Sequence, residues 1–351
     1  MFEPNTVPLN IFQPLAKVEL HRHLEGSLRL TTMLDIAGSH GITIPPGVMN
    51  LSGLVQVQER DPLTFNNFLE KFKTLRLFYR SPDVIDRITR EAVEDAARDN
   101  IRYLELRFTP VALSRAEDFP LKDVINWVAA AAQKASHKHR IPVGLIASVN
   151  RHESLELAKE VVSLAAQSIP MGMVGLDLAG NEAEFPAAPF AGLFREARQA
   201  GLHLTIHAGE WAGAANVREA IELLEAERIG HGVRVLEDPA VTALAAERGT
   251  VFEVCVTSNY QSGVVSDLRK HPLPVMLERG LNATIHTDDP SISRITLSHE
   301  YRLAHDELGI PLDIIKTCVL AAGQAAFLAE PERAALTTRL KKELKLPTGA
   351  T

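Results

Sequence analysis

Residues 17–27 read KVELHRHLEGS. Lys17-Val18-Glu19-Leu20 alternates polar and apolar residues, the pattern of a strand. Side chains on a strand repeat with period two, so His21 and His23 project from one face. Gly26 then ends the strand. Two imidazoles on one face, at the end of a buried strand, can ligate a single metal ion. An H-x-H pair also arises by chance, and a lone histidine is more often structural. The pair gains weight from three later segments: HAGE at 207–210, GHG at 230–232 and HTDDP at 286–290.

Working outward, short apolar runs recur at 17–21, 101–107, 141–149, 173–178, 202–207, 228–230, 250–255 and 282–286. Helical patterns separate most of them, at 82–99, 121–138, 153–168, 188–200, 214–226, 239–248 and 271–280. Pro82 and Pro239 stand where helices begin, and Gly201, Gly249 and Gly280 where they end. Strand–helix alternation argues for a parallel sheet, and eight units over about 250 residues match a (β/α)8 TIM barrel. The stretch after the first run is too long for one helix. It carries Pro45-Pro46-Gly47 and a helical pattern at about 62–79, which reads as an inserted helical cap. A C-terminal helical tail follows the eighth run, at about 311–329. No internal repeat appears, so residues 1–351 are read as a single domain.

The chain is 46% hydrophobic and 23% charged, with a formal net charge of -7. That composition fits a soluble globular protein. No basic block or basic/aromatic interleaving favours nucleic acid. The segment from Met1 to Ala16 carries Pro4, Pro8 and Pro14 and has no signal-peptide core, and no run approaches a membrane span. A cytoplasmic enzyme is expected. Cys255 and Cys318 form no C-x-x-C and cannot supply a paired-thiolate zinc site. Cys255 is expected to be a buried thiol.

Polar residues collect at the C-terminal ends of the runs, the face where barrel enzymes build their sites. Arg107 ends the second and Arg151-His152 follows the third. Gly180-Asn181-Glu182 follows the fourth, Ser258-Asn259 the seventh. Three histidines and one carboxylate from strands one, five and eight could hold one Zn2+ and leave a position for water, whose pKa zinc lowers to roughly 7. His203 lies four residues before His207, as in a helical zinc site. However, Leu202, Leu204 and Ile206 alternate with His203, Thr205 and His207. That is strand spacing, and it sends His203 toward the other end of the barrel. Asp288 and Asp289 are neighbours and point in different directions, so one can bind metal while the other meets water or substrate. The bland reading is an Asp-Asp-Pro turn with a helix N-cap. His286 is a rival ligand to Asp288. Strand four ends without the lysine that a two-metal barrel usually needs, which favours one metal.

At this point the residues resemble a family. The motifs KVELHRHLEGSLR (17–29), YLELRFTP (103–110), GLDLAGNE (175–182), TIHAGE (205–210), RIGHGVR (228–234), FEVCVTSN (252–259) and HTDDP (286–290) are similar, in order, to those of the adenosine/adenine deaminase family. The resemblance implies one zinc per chain, held by His21, His23, His207 and Asp288. It implies that Glu210 protonates purine N1, and that His231 orients or deprotonates the attacking water. It implies that Asp289 contacts that water and the N7 side, and that the Gly180 N–H meets N3. Glu210 must then hold a proton near neutral pH, which requires a raised pKa.

The resemblance leaves the purine substituent open. Gly230-His231 and LDLAGNE favour a nucleoside over free adenine. Glu25 stands where many relatives carry the Asp that binds the ribose 5′-hydroxyl, and Val256 replaces a common proline. A 5′-modified adenosine, such as aminodeoxyfutalosine or methylthioadenosine, is therefore the alternative. Glu25 is expected to read the sugar or to pair with Arg29. Phe65, Phe68, Leu69 and Phe72 form an apolar stripe that is either a buried helix face or a lid over the purine. Two further classes compete: a mononuclear zinc hydrolase acting on a cyclic amide or ester, and a non-enzymatic metal-binding barrel. Oligomeric state is not readable.

Overall fold

Each of the eight apolar runs forms a strand: β1 (Lys17–His23), β2 (Ile101–Phe108), β3 (Val143–Asn150), β4 (Met173–Ala179), β5 (His203–Ala208), β6 (Arg228–His231), β7 (Val251–Val254) and β8 (Asn282–Ile285). The computed structural model describes residues 11–44 and 48–347. Pro4, Pro8 and the expected Pro45-Pro46-Gly47 break lie outside them. The strands pair in parallel in chain order.

The ring is drawn together between β8 and β1. Arg22 and Asp288 form a parallel bridge. The His23 N–H donates to the Asp288 carbonyl and the Asp288 N–H to the His21 carbonyl, both at 2.8 Å. Lower down, His286 Nδ1 accepts the Leu20 N–H at 3.1 Å. These bonds fix Asp288 beside the two histidines of β1.

Helices between strands cover the ring. Pro82 stands at the start of the helix Pro82–Arg98, where its missing N–H costs nothing, and the Ser81 side chain accepts the Val84 N–H at 3.2 Å. This helix buries Val84, Ile85, Ile88, Ala92 and Val93 at helical spacing. Each fully buried aliphatic of that size contributes about 1.5–3 kcal/mol.

The segment after β1 carries helices at Leu30–His40, Val48–Val55 and Phe65–Leu75. Thr64 caps the last of these by accepting the Asn67 N–H. Lys71 pins it from below, reaching Asp61 at 2.7 Å and the Gly53 carbonyl at 3.0 Å. The tail differs from the single helix expected at 311–329. Helices run over Leu297–Asp306 and Leu312–Gln324, and a separate one over Glu330–Leu344 buries Leu336, Leu340 and Leu344. Pro331, at the start of this last helix, is fit to begin a helix and unfit to continue one. Among the described residues, no helix is long and apolar enough to cross a membrane.

Candidate active site

β1 delivers His21 and His23 to the mouth of the barrel, β5 delivers His207, and the turn after β8 delivers Asp288. Donor atoms of these four lie within 4.8 Å of one another. His21 Nε2 and His23 Nε2 are each 3.3 Å from Asp288 Oδ1. His21 Nε2 is buried and has no hydrogen-bond partner. An orphaned buried nitrogen is costly, and a metal ion at this point would satisfy it. The donor set, three imidazoles and a carboxylate, suits zinc.

Behind the cluster, carboxylates fix the rings. His21 Nδ1 lies 2.8 Å from Glu253 Oε2, and His207 Nδ1 lies 2.9 Å from Asp177 Oδ1. A carboxylate on Nδ1 leaves Nε2 free to ligate and raises its basicity. Buried Arg107 joins the two anchors, 2.7 Å from Glu253 and 3.5 Å from Asp177. Burial alone would raise both carboxyls, yet Arg107 and Arg228 hold Glu253, and His207 and Arg107 hold Asp177, well below the usual range. Ser258 Oγ donates to Asp288 Oδ2 at 2.7 Å. Sequence reasoning gave Asp177, Glu253 and Arg107 no role. For Asp177 and Glu253 the signal was a single charge inside an otherwise apolar run.

Asp288 has φ 65° and His231 φ 59°. Left-handed backbone at a residue other than glycine costs of order 1–3 kcal/mol and collects at functional sites. The turn also breaks the strand parity expected of His286 and Asp288. His286 turns away from the cluster to Leu20 and Thr284 Oγ1, and is not a rival ligand. Asp289 stands at the N-cap position of the short helix Pro290–Ser293, as the bland reading expects, but its side chain makes no cap bond. His203 packs flat on Phe327 at 4.6 Å and pairs with Glu227, apart from the cluster.

Glu210 is buried, with Oε2 3.6 Å from His231 Nε2. Burial, then the negative charges of Asp288 and Glu182, raises it well above the usual carboxylate range. Its backbone is held by an anion. The N–H groups of Gly209, Glu210, Trp211 and Ala212 all donate to the Glu182 carboxylate, at 2.9, 2.6, 2.7 and 2.9 Å. Asp289 is also raised, by burial and by Asp288, Glu25 and Glu210 around it.

These groups open into a cleft of about 700 Å³ lined by Glu25, Phe68, Leu69, Phe72 and Gly180 as well as His23, His207 and Asp288. The helix Phe65–Leu75 thus overhangs the site. Phe65, grouped with Phe68 and Phe72 by spacing, does not line this cleft. It begins the helix and turns onto Trp211 at the rim, with ring centroids 4.0 Å apart. Arg29 does not pair with Glu25, because Asp95 and Glu94 take it. Glu25 Oε1 accepts the Thr109 N–H at 2.6 Å, and Oε2 is buried without a partner. Burial pushes its carboxyl up to about 7.

A second grouping, His231, Cys255 and Asp288, also falls within 4.8 Å. Burial and neighbouring carboxylates push the Cys255 thiol well up, so it remains protonated and ligates poorly.

The chain matches a family model described as Adenosine deaminase over residues 16–343. It is 38% identical over 328 residues to an adenosine deaminase of Erwinia tasmaniensis, covering 93% of this chain and 98% of that one. Among solved structures, a zinc-bound amidohydrolase from Burkholderia ambifaria superposes with TM-score 0.89 at 27% identity, covering 98% of this chain and 94% of that one. An adenine deaminase from Arthrobacter aurescens superposes with TM-score 0.85 at 26% identity, covering 95% and 99%.

Proposed function

The chain belongs to the adenosine deaminase family and is a hydrolytic deaminase, and on that premise we propose that it replaces the 6-amino group of an adenosine-type nucleoside by oxygen, releasing ammonia. His21, His23, His207 and Asp288 would hold one zinc ion per chain. The ion would supply Lewis acidity that makes water acidic enough to attack near neutral pH.

The residues of the chain divide the remaining work. Glu210 gives its proton to purine N1, which draws electrons from C6 and opens it to attack by water. His231 and Asp289 flank that water. Asp289, whose Oδ1 is buried without a partner, takes the proton the water gives up, which leaves on the amine as ammonia, and Asp289 also meets the N7 side. The Gly180 N–H positions N3, and Phe68 and Phe72 cover the purine face. Glu25 accepts a bond from the sugar through its unpartnered Oε2.

The observation that carries this reading is Glu210: a buried carboxyl 3.6 Å from His231 and beside the four-ligand cluster, which burial and the charges of Asp288 and Glu182 push toward its protonated form. A zinc hydrolase acting on a cyclic amide or ester needs no such acid directed at a ring nitrogen. The test is a panel of adenine, adenosine, 2′-deoxyadenosine, methylthioadenosine and aminodeoxyfutalosine, read by ammonia release and loss of the adenosine ultraviolet band. Adenosine or its deoxy form is expected to give the highest kcat/KM. Preference for a 5′-modified member would move the substrate to that class, and turnover of none would remove the adenosine-type substrate.

A further inference from the structure

His231 is reached from behind by a chain of side chains that ends on a backbone amide. The Leu273 N–H donates to His271 Nδ1 at 3.1 Å. His271 Nε2 lies 3.3 Å from Asn259 Oδ1, and Asn259 Nδ2 lies 3.1 Å from His231 Nδ1. Every member of the chain is buried.

The direction of every proton follows from the first bond. A backbone N–H can only donate, so His271 Nδ1 must be bare. Burial pushes His271 down to about 3, so the ring is neutral and its one proton sits on Nε2. The Asn259 atom facing that proton must be the oxygen. The Asn259 atom facing His231 must then be the NH2 group, which donates. His231 Nδ1 is therefore an acceptor, and the proton on the ring sits on Nε2. That nitrogen looks into the cleft, 3.6 Å from Glu210 Oε2 and 3.8 Å from Asp288 Oδ2. The Leu273 N–H, through His271, fixes which way the Asn259 amide faces.

We infer that Asn259 and His271 are positioning residues that hold His231 in the Nε2–H tautomer, so that it meets the attacking water as a hydrogen-bond donor and not as its base. The inference rests on the deaminase reading for the step it serves, but the tautomer is a property of the folded chain.

The test reads the two separately. Long-range ¹H–¹⁵N spectra of zinc-loaded enzyme labelled with ¹⁵N-histidine distinguish a protonated from a bare ring nitrogen, with His231 assigned by its loss in His231→Gln. The expected result is bare Nδ1 and protonated Nε2 in the absence of substrate. Asn259→Asp is nearly isosteric, cannot donate from that atom and should reverse the pattern. It should lower kcat about 10²-fold, with zinc content and KM little changed. His271→Leu should lower kcat as well, and His271→Gln, which still carries an N–H toward Asn259, should recover most of that loss. A protonated Nδ1 in the unsubstituted enzyme, or an Asn259→Asp enzyme with full kcat, would overturn the inference. If none of the purine panel is turned over, the proposed adenosine-type substrate fails while the spectra still report the tautomer.

Discussion

A β-carbon on Gly26 would overlap the side chain of Asp289, coming within 2.5 Å of its Cβ and Cγ. β1 ends at His23, before the expected Gly26, and Gly26 serves another purpose. It leaves the volume that the second aspartate of the HTDDP turn occupies, and the Ser291 N–H donates to its carbonyl at 2.7 Å. Gly26→Ala should displace Asp289 and leave the four metal donors in place. Misplacing a reacting group by about 1 Å can cost 10²-fold in rate. The expected outcome is a kcat/KM loss on the order of 10²-fold with full zinc content. Unchanged kinetics would show that Asp289 can move without consequence.

Glu210→Gln keeps the shape of the side chain and removes the proton it gives. General acid catalysis is worth about 10²–10⁴-fold, and a loss of that size in kcat is expected. Zinc measured by atomic absorption should stay at the unsubstituted level. Near-normal kcat in a zinc-loaded variant would remove Glu210 from the role of acid.

Much of this was legible in the sequence, and the gaps have a physical pattern. The strand KVELHRH could be read because its alternation is local, and the eight runs and their helices could be read for the same reason. Asp177 and Glu253 could not be assigned, because a charge in an apolar strand announces burial but not its partner. Their partners, His207 and His21, lie on other strands and meet them only when the ring closes. Gly26 was read as a terminator because the residue it makes room for lies at the far end of the chain. Phe65 shares the spacing of Phe68 and Phe72, yet its position in the first turn of the helix turns it to Trp211. The tail was read as one helix because nothing local marks how Leu297–Asp306 packs against the turn after β7.

Asp177→Asn tests the anchor behind the metal. The amide can no longer accept the Nδ1 proton of His207 with the strength of a carboxylate, and Arg107 loses one of its two counter-charges. Loss of such a partner typically costs 10–100-fold in metal affinity. Zinc competition with a chelator should show a weakening of about that size. Unaltered affinity would mean that His207 needs no carboxylate to ligate.

Glu25→Ala separates sugar reading from structure. If Oε2 accepts a bond from the ribose 5′-hydroxyl, kcat/KM for adenosine should fall by about 1–3 kcal/mol in transition-state free energy. The loss should be much smaller for methylthioadenosine, which lacks that hydroxyl. Equal losses for both, with zinc retained, would assign Glu25 to holding the Thr109 amide alone.

Glu300 gives a pH dependence of stability away from the metal ligands. Its carboxylate is buried, accepts the Thr257 N–H at 3.1 Å and meets the Thr257 hydroxyl. Burial, opposed by these bonds and aided by Glu19, pushes its pKa up to about 7 from the ordinary value of 4.5. Between those two values the folded chain keeps a proton that the unfolded chain releases, so the folded state binds more protons. Stability from this group therefore falls as pH rises from about 4.5 to about 7, and is level above that. Glu300→Gln cannot ionise, still accepts the Thr257 N–H, and should escape the fall. Its stability relative to the unsubstituted protein should improve by about 1–3 kcal/mol between pH 5 and pH 8, measured by urea unfolding at both. A difference that does not change with pH would show that Glu300 is already ionised in the folded chain at pH 5.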